Sequence, residues 1–140
     1  MPIRNYALEI SADEYRHRCE LLLGHVQQGA LNGVVLFDPD YIYYYSGFYF
    51  IPTERPMAFV MNSKGDVGLF VPRLEVEHAK SQTVVNRVDH YIEYPHNPHP
   101  MHGLVEMLKD MGIEGEIMAD HDGYPWLFGY RGPALSELLS

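Results

Sequence analysis

Five consecutive apolar residues, Gly33-Val34-Val35-Leu36-Phe37, stop abruptly at Asp38-Pro39. The run is too short for a helix and rich in β-branched side chains, so it predicts a strand, and its uniform apolarity requires cover on both faces. A strand buried on both sides needs helices above and below it, which confines the chain to an α/β architecture. Pro39 fixes its own φ and pushes Asp38 toward extended geometry, so the strand must end there.

Helical and strand patterns alternate around this run. Ser11 and Glu14 form a capping box, Ile10 and Tyr15 can staple across it, and Tyr15, Cys19, Leu22 and Val26 recur at helical spacing up to Gly29. Met57 to Met61 and Val67 to Val71 predict an antiparallel hairpin whose turn contains Gly65. Pro72 ends the second strand, and Leu74 to Lys80 suit a short helix with acids first and Lys80 last. Val88 to Ile92 reads as a strand with one wet face, and Pro95, Pro98 and Pro100 as an extended connector. His102 to Met111 predicts a helix capped by Gly112, Glu116 to Ala119 a short strand, and Pro133 to Leu139 a last helix opened by its proline. Pro125 to Phe128 is an apolar turn of undefined type. The expectation is one α/β domain over residues 1–140, three layers deep, with a mixed β-sheet (an antiparallel hairpin plus parallel strands) flanked by helices.

Between Asp38 and Pro56 the chain is dense in rings: Tyr41, Tyr43, Tyr44, Tyr45, Phe48, Tyr49 and Phe50. Asp38 and Asp40 can bond local amides as Asx turns do, and Gly47 supplies a conformation that a Cβ would resist. The stretch reads as a rigid aromatic corner. Its rings either fill the core beneath a loop or form a surface at which molecules associate.

Composition narrows the function. Hydrophobic residues make up 46% and charged residues 21% of 140, ordinary for a globular chain. With 19 acidic against 10 basic residues the formal charge is -9, which repels nucleic-acid phosphates and anionic membranes. Cys19 is the one cysteine, excluding an intramolecular disulfide and a cysteine metal cluster. No apolar run approaches membrane-spanning length, and Met1 to Tyr6 does not read as a signal peptide, so a cytoplasmic address is expected.

Four groupings could carry chemistry, and each has a structural alternative. His96, His99 and His102 have spacings that could serve zinc, but prolines interleave them and hold the segment extended, so a solvated connector accounts for them better. Asp120 and Asp122, with His121 between them after a strand, suit an acid and a base or a polar turn before Gly123. Cys19 lies on the apolar stripe of the first helix, as a core residue does. Ser46-Gly47 lacks the nucleophile-elbow pattern, because Tyr44 stands where its first glycine belongs. Phosphate-binding glycine loops are missing as well.

The order of pieces is more informative than any one of them. Tyr15-Arg16-His17-Arg18, the strand Gly33 to Phe37, Tyr44-Tyr45-Ser46-Gly47-Phe48, Arg55-Pro56, a hairpin, and Val71-Pro72-Arg73-Leu74-Glu75-Val76-Glu77-His78-Ala79 together resemble the N-terminal domain of the creatinase/prolidase/aminopeptidase P family. The resemblance implies a non-catalytic domain, with no cofactor of its own, ahead of a separate pita-bread catalytic domain. In peptidase members that second domain holds two divalent metal ions (Mn, Co or Zn) through Asp, His and Glu and cleaves bonds preceding proline; creatinase is metal-free. These 140 residues contain none of it and stop where a final strand and connecting helix would come next, as expected of a fragment.

The resemblance implies two roles: assembly of a homo-oligomer, a dimer in the first instance, and supply of residues to the rim of an active site. Tyr45, Phe48, Thr53 and Arg55 are the implied rim and interface residues, with no catalytic or metal-binding residue among them. Arg55 falls where creatinase-like members place an arginine that reaches substrate, and Thr53 where they place an aromatic, which argues against creatine. A dipeptide with proline second fits better, its carboxylate meeting Arg55 in a bidentate fork. Arg55 could instead pair with Glu54 or Glu75. The competing functions are a freestanding binding module with this fold and the N-terminal domain of a creatinase-like amidinohydrolase.

Overall fold

Ser11 starts the first helix as expected, its Oγ accepting the Glu14 N–H at 3.2 Å from an extended N-cap. A computed structural model describes residues 10–49, 55–82, 84–92, 99–123, 126–127, 130–131 and 133–139. In chain order these form α1 (Ala12–Gln28), β1 (Gly33–Leu36), α2 (Pro39–Ser46), β2 (Ala58–Asn62), β3 (Val67–Pro72), a 3-10 turn (Arg73–Glu75), α3 (Val76–Gln82), β4 (Arg87–Tyr91), α4 (Pro100–Asp110), β5 (Ile117–Ala119), β6 (Trp126–Leu127), β7 (Tyr130–Arg131) and α5 (Leu135–Leu139).

The main sheet has five strands in the order β4-β3-β2-β1-β5. β1 runs antiparallel to β2 and parallel to β5, pairing Gly33 with Asn62 on one side and with Ile117 on the other. The hairpin partner β3 is parallel to β4, with Gly68 opposite Arg87. This is the mixed sheet the sequence predicts. Alternation along β1 divides the core: Val34 and Leu36 join one apolar cluster with Val26 of α1, Ile42 of α2 and Ala79 of α3. Val35 and Phe37 join the opposite cluster, built from Met101, Leu104 and Leu108 of α4 with Leu135 of α5. Three layers result, and every residue of β1, β2 and β3 is buried.

The aromatic corner is the main departure from expectation. Pro39–Ser46 forms a helix, α2, in which Asp38 is the N-cap, accepting the Asp40 N–H at 2.8 Å, and Pro39 takes the first helical position, where its missing N–H costs nothing. Gly47 ends it in the left-handed region at φ 81. The same logic applies to Pro100, which starts α4 instead of continuing an extended connector. α5 begins at Leu135, two residues after Pro133, and Trp126–Leu127 pairs with Tyr130–Arg131 in a small antiparallel hairpin. Among the described residues no helix is long and apolar enough to cross a membrane.

Gly33 fixes the register of the centre. A Cβ there would stand 2.6 Å from the Met61 carbonyl oxygen and 2.8 Å from Ile113 Cγ2, so backbone would have to move. Gly33→Ala is expected to lower unfolding free energy by about 2 kcal/mol or more. Chemical denaturation reads this directly.

Candidate functional site

Of the residues singled out by the sequence, Tyr45, Ser46 and Phe48 lie on or just after α2, and Asp120 binds the backbone where α2 begins. Its carboxylate accepts the Phe37 N–H at 2.8 Å and the Asp38 N–H at 2.7 Å, where β1 ends and α2 begins, and the His121 N–H at 3.0 Å. Asp122 accepts the Ser136 N–H at 2.7 Å and its hydroxyl at 2.5 Å. His121 lies against the Phe37 ring at 5.2 Å. These acids therefore tie chain segments together, and the structure does not assemble them as an acid and base.

At the other end of α2 the Tyr-Ser-Gly-Phe element is a helix stop. Ser46 is fully buried; its hydroxyl donates to the Ile42 carbonyl at 2.5 Å and accepts the Phe48 N–H at 3.0 Å. With both capacities in use it is no nucleophile. Phe48 is 0% exposed and packs in the core 5.0 Å from the His78 ring, whose Nδ1 meets Glu75 Oε1 at 3.2 Å. The rim placement of Phe48 is thus corrected: an aromatic following a left-handed glycine is turned back under the helix. It also links the two sequence elements of the resemblance, because His78, three residues beyond the Val-Pro-x-x-Glu motif, is held by that motif's Glu75. Tyr45 is half-buried with its ring stacked on Phe59 at 5.8 Å. Arg55 is half-buried just before β2, and Thr53 lies outside the described residues.

The outward rings are Tyr41, Tyr43, Tyr44 and Tyr49, each more than a third exposed. An open groove of about 730 Å³ is lined by Ile10, Arg18, Asp40, Tyr43, Tyr44 and Tyr49. Arg18 is the one basic side chain among these lining residues. The guanidinium lies 4.1 Å from the Tyr44 ring centroid and 5.4 Å from that of Tyr15, donating to the Tyr44 carbonyl at 3.0 Å and to Glu14 at 3.3 Å. A desolvated cation between rings is held electrostatically by their faces. Tyr15 is raised from its ordinary phenolic value by burial, then by its hydrogen bond with Tyr43 and the charge there, with Arg18 acting in the opposite sense. Sequence reasoning does not mark Arg18 as a site residue. The available signal is its place one turn beyond Glu14 on the edge of the apolar stripe of α1.

Cys19, half-buried on α1, donates its thiol to the Tyr45 carbonyl at 3.3 Å, and burial followed by the Glu20 charge pushes it up to about 11. Of the histidines, His96 lies outside the described residues and His102 is exposed. His99 is no solvated connector: it is 7% exposed, and its Nδ1 accepts the Met101 N–H at 3.2 Å.

A family model described as the creatinase/prolidase N-terminal domain matches residues 18–124, and the chain belongs to that family. Among solved structures, a proline dipeptidase from Streptococcus pneumoniae TIGR4 is 27% identical over 73% of this chain and 72% of that one, with a TM-score of 0.63. The N-terminal domain of Xaa-Pro dipeptidase from Lactobacillus brevis is 26% identical over 74% of this chain and 75% of that one, with a TM-score of 0.65. The Xaa-Pro dipeptidase from Bacillus anthracis, at 16% identity and a TM-score of 0.59, shares the fold over 78% of this chain but only 27% of its own. No curated protein sequence matches the chain. Among the described residues no group of three or more His, Cys, Asp or Glu side chains could hold a metal ion.

Two outcomes separate packing from surface. Phe48→Ala is expected to cost about 3–5 kcal/mol of stability, whereas Tyr49→Ala changes it by no more than about 0.5 kcal/mol, both read by denaturant unfolding. Native Cys19 should react with iodoacetamide at least about tenfold more slowly than the same thiol in denaturant, because burial and its bond to the Tyr45 carbonyl disfavour the thiolate.

Proposed function

We propose that this chain is the non-catalytic N-terminal domain of a metal-dependent Xaa-Pro dipeptidase or aminopeptidase-like hydrolase, and that it serves assembly and the rim of the active site. The observation that carries this reading is the likeness to proline dipeptidase domains at 26–27% identity over nearly three quarters of both chains. The same fold takes up 27% of the Xaa-Pro dipeptidase from Bacillus anthracis, which supports a place within a longer enzyme. Bond cleavage, and the two divalent ions it needs, then belong to a separate catalytic domain.

The division of labour rests on exposure. Phe48 and Ser46 build the joint, so the surface left for association is Tyr43, Tyr44 and Tyr49 around Arg18. Rigid amphipathic rings present area at low entropic cost and carry hydroxyls for polar contacts. Arg55 supplies a planar fork that suits the carboxylate of a dipeptide ending in proline. The thiol of Cys19, kept protonated, suits a reducing cytoplasm.

The purified chain incubated with Xaa-Pro dipeptides and manganese is expected to give no turnover, and metal-dependent hydrolysis by it would overturn the reading. In the enzyme that contains the chain, Tyr49→Ala should weaken self-association about tenfold with little change in melting temperature. Sedimentation showing an unaltered dimer would remove the assembly role.

A further inference from the structure

We propose that His99 is a proton-sensitive latch on the first turn of α4, so that acidification releases the start of this helix while the rest of the domain stays folded. The proposal concerns the layer opposite α2 and does not depend on the peptidase reading.

The first turn of a helix has N–H groups without intrahelical partners, and here each has a specific fate. Pro100 has none to satisfy. The Met101 N–H donates to the imidazole Nδ1 of His99 at 3.2 Å, and the His102 N–H donates to the His99 carbonyl at 3.0 Å. The imidazole therefore does the work usually given to Ser, Thr, Asp or Asn at an N-cap. An imidazole nitrogen can accept only while unprotonated, so the bound tautomer carries its hydrogen on Nε2.

Protonation would turn this acceptor into a donor facing another donor. Three further features oppose the charged form. The ring is 7% exposed, the positive pole of α4 lies against it, and His102 on the same turn places a second titratable ring nearby. Among the described residues His102 is the titratable group that acts on it, and in the same direction as burial: both hold His99 below the ordinary 6.5. Above about pH 6.5 the latched and released turns are both neutral and the cap contributes fully; as pH falls, the released turn binds protons more readily, and the cap is lost through the lowered value.

Release stays local for a structural reason. Gly103 lowers the intrinsic helicity of the opening turns, so the cap matters most there. Further along, Leu104, Met107 and Leu108 are at most 1% exposed and anchor the remainder of α4 beneath the sheet. Met101, 1% exposed, is the apolar side chain on the turn that opens.

Amide hydrogen exchange on the full chain at about pH 7.5 and about pH 5, corrected for intrinsic rates, tests this. The Met101 and His102 amides should lose about tenfold or more in protection on acidification, while those of Leu108 and Val60 keep theirs. His99→Asn, whose side chain caps without titrating, should abolish the response, with His99→Ser as a second non-titrating cap. Unchanged protection in the wild type, the same acid loss in both variants, or a ¹⁵N ring signature of a charged His99 at neutral pH would overturn the proposal.

Discussion

Two oxygens of one carboxylate hold the place where the sheet becomes helix. Asp120 accepts the main-chain N–H groups of Phe37 and Asp38, the first two residues beyond β1. Each charge-assisted bond of this kind is worth about 1.5–3 kcal/mol. The clamp fixes how far β1 extends, the start of α2 one residue later, and hence which face of α2 looks inward. Ile42 and Ser46 are buried as a result, and Tyr41 and Tyr44 face water.

The joint at the far end of α2 is built in the same way, from a few local bonds. Ser46 closes onto Ile42 and Phe48, Gly47 takes a left-handed turn, and Phe48 drops into the core beside His78. The Tyr-Ser-Gly-Phe and Val-Pro-x-x-Glu elements are thereby linked in space through His78, although 22 residues lie between Phe48 and Val71. In this domain the pattern that identifies the family is a packing joint. Ser46, the hydroxyl of the first element, is spent on that joint, bonding the Ile42 carbonyl and the Phe48 N–H.

Legibility from sequence tracks how local the determining force is. β1 can be read because burial on both faces leaves no polar position in the run, and α1 because Ser11 and the apolar stripe agree. α2 escapes such a reading because tyrosine and isoleucine favour strands, while Asp38, Pro39 and Gly47 suit a turn as well as a capped helix. Eight residues hold too few periods for the apolar pattern to decide between them. His99 reads as part of a connector because proline before and after it suggests an extended chain, and a helix starting at Pro100 is distinguished from a connector only by the apolar spacing of Leu104, Met107 and Leu108. Arg18 is invisible as a site residue because its partners, Tyr44 and Tyr15, come together only once α2 packs on α1.

Charge and ring placement together define what the outer face of α2 can do. A copy carrying a formal charge of -9 repels another, so long-range electrostatics oppose self-association. The one guanidinium lining the groove among the described residues is already engaged by Glu14, the Tyr44 carbonyl and two rings, with its side chain only 15% exposed. Its charge stiffens Tyr44 more than it attracts a partner. What remains is the area of Tyr43, Tyr44 and Tyr49, with Tyr43 and Tyr49 braced edge to face at 5.7 Å. Rings held in place by neighbours lose little freedom on contact, so the favourable term at this surface has to be burial of pre-organised aromatic area.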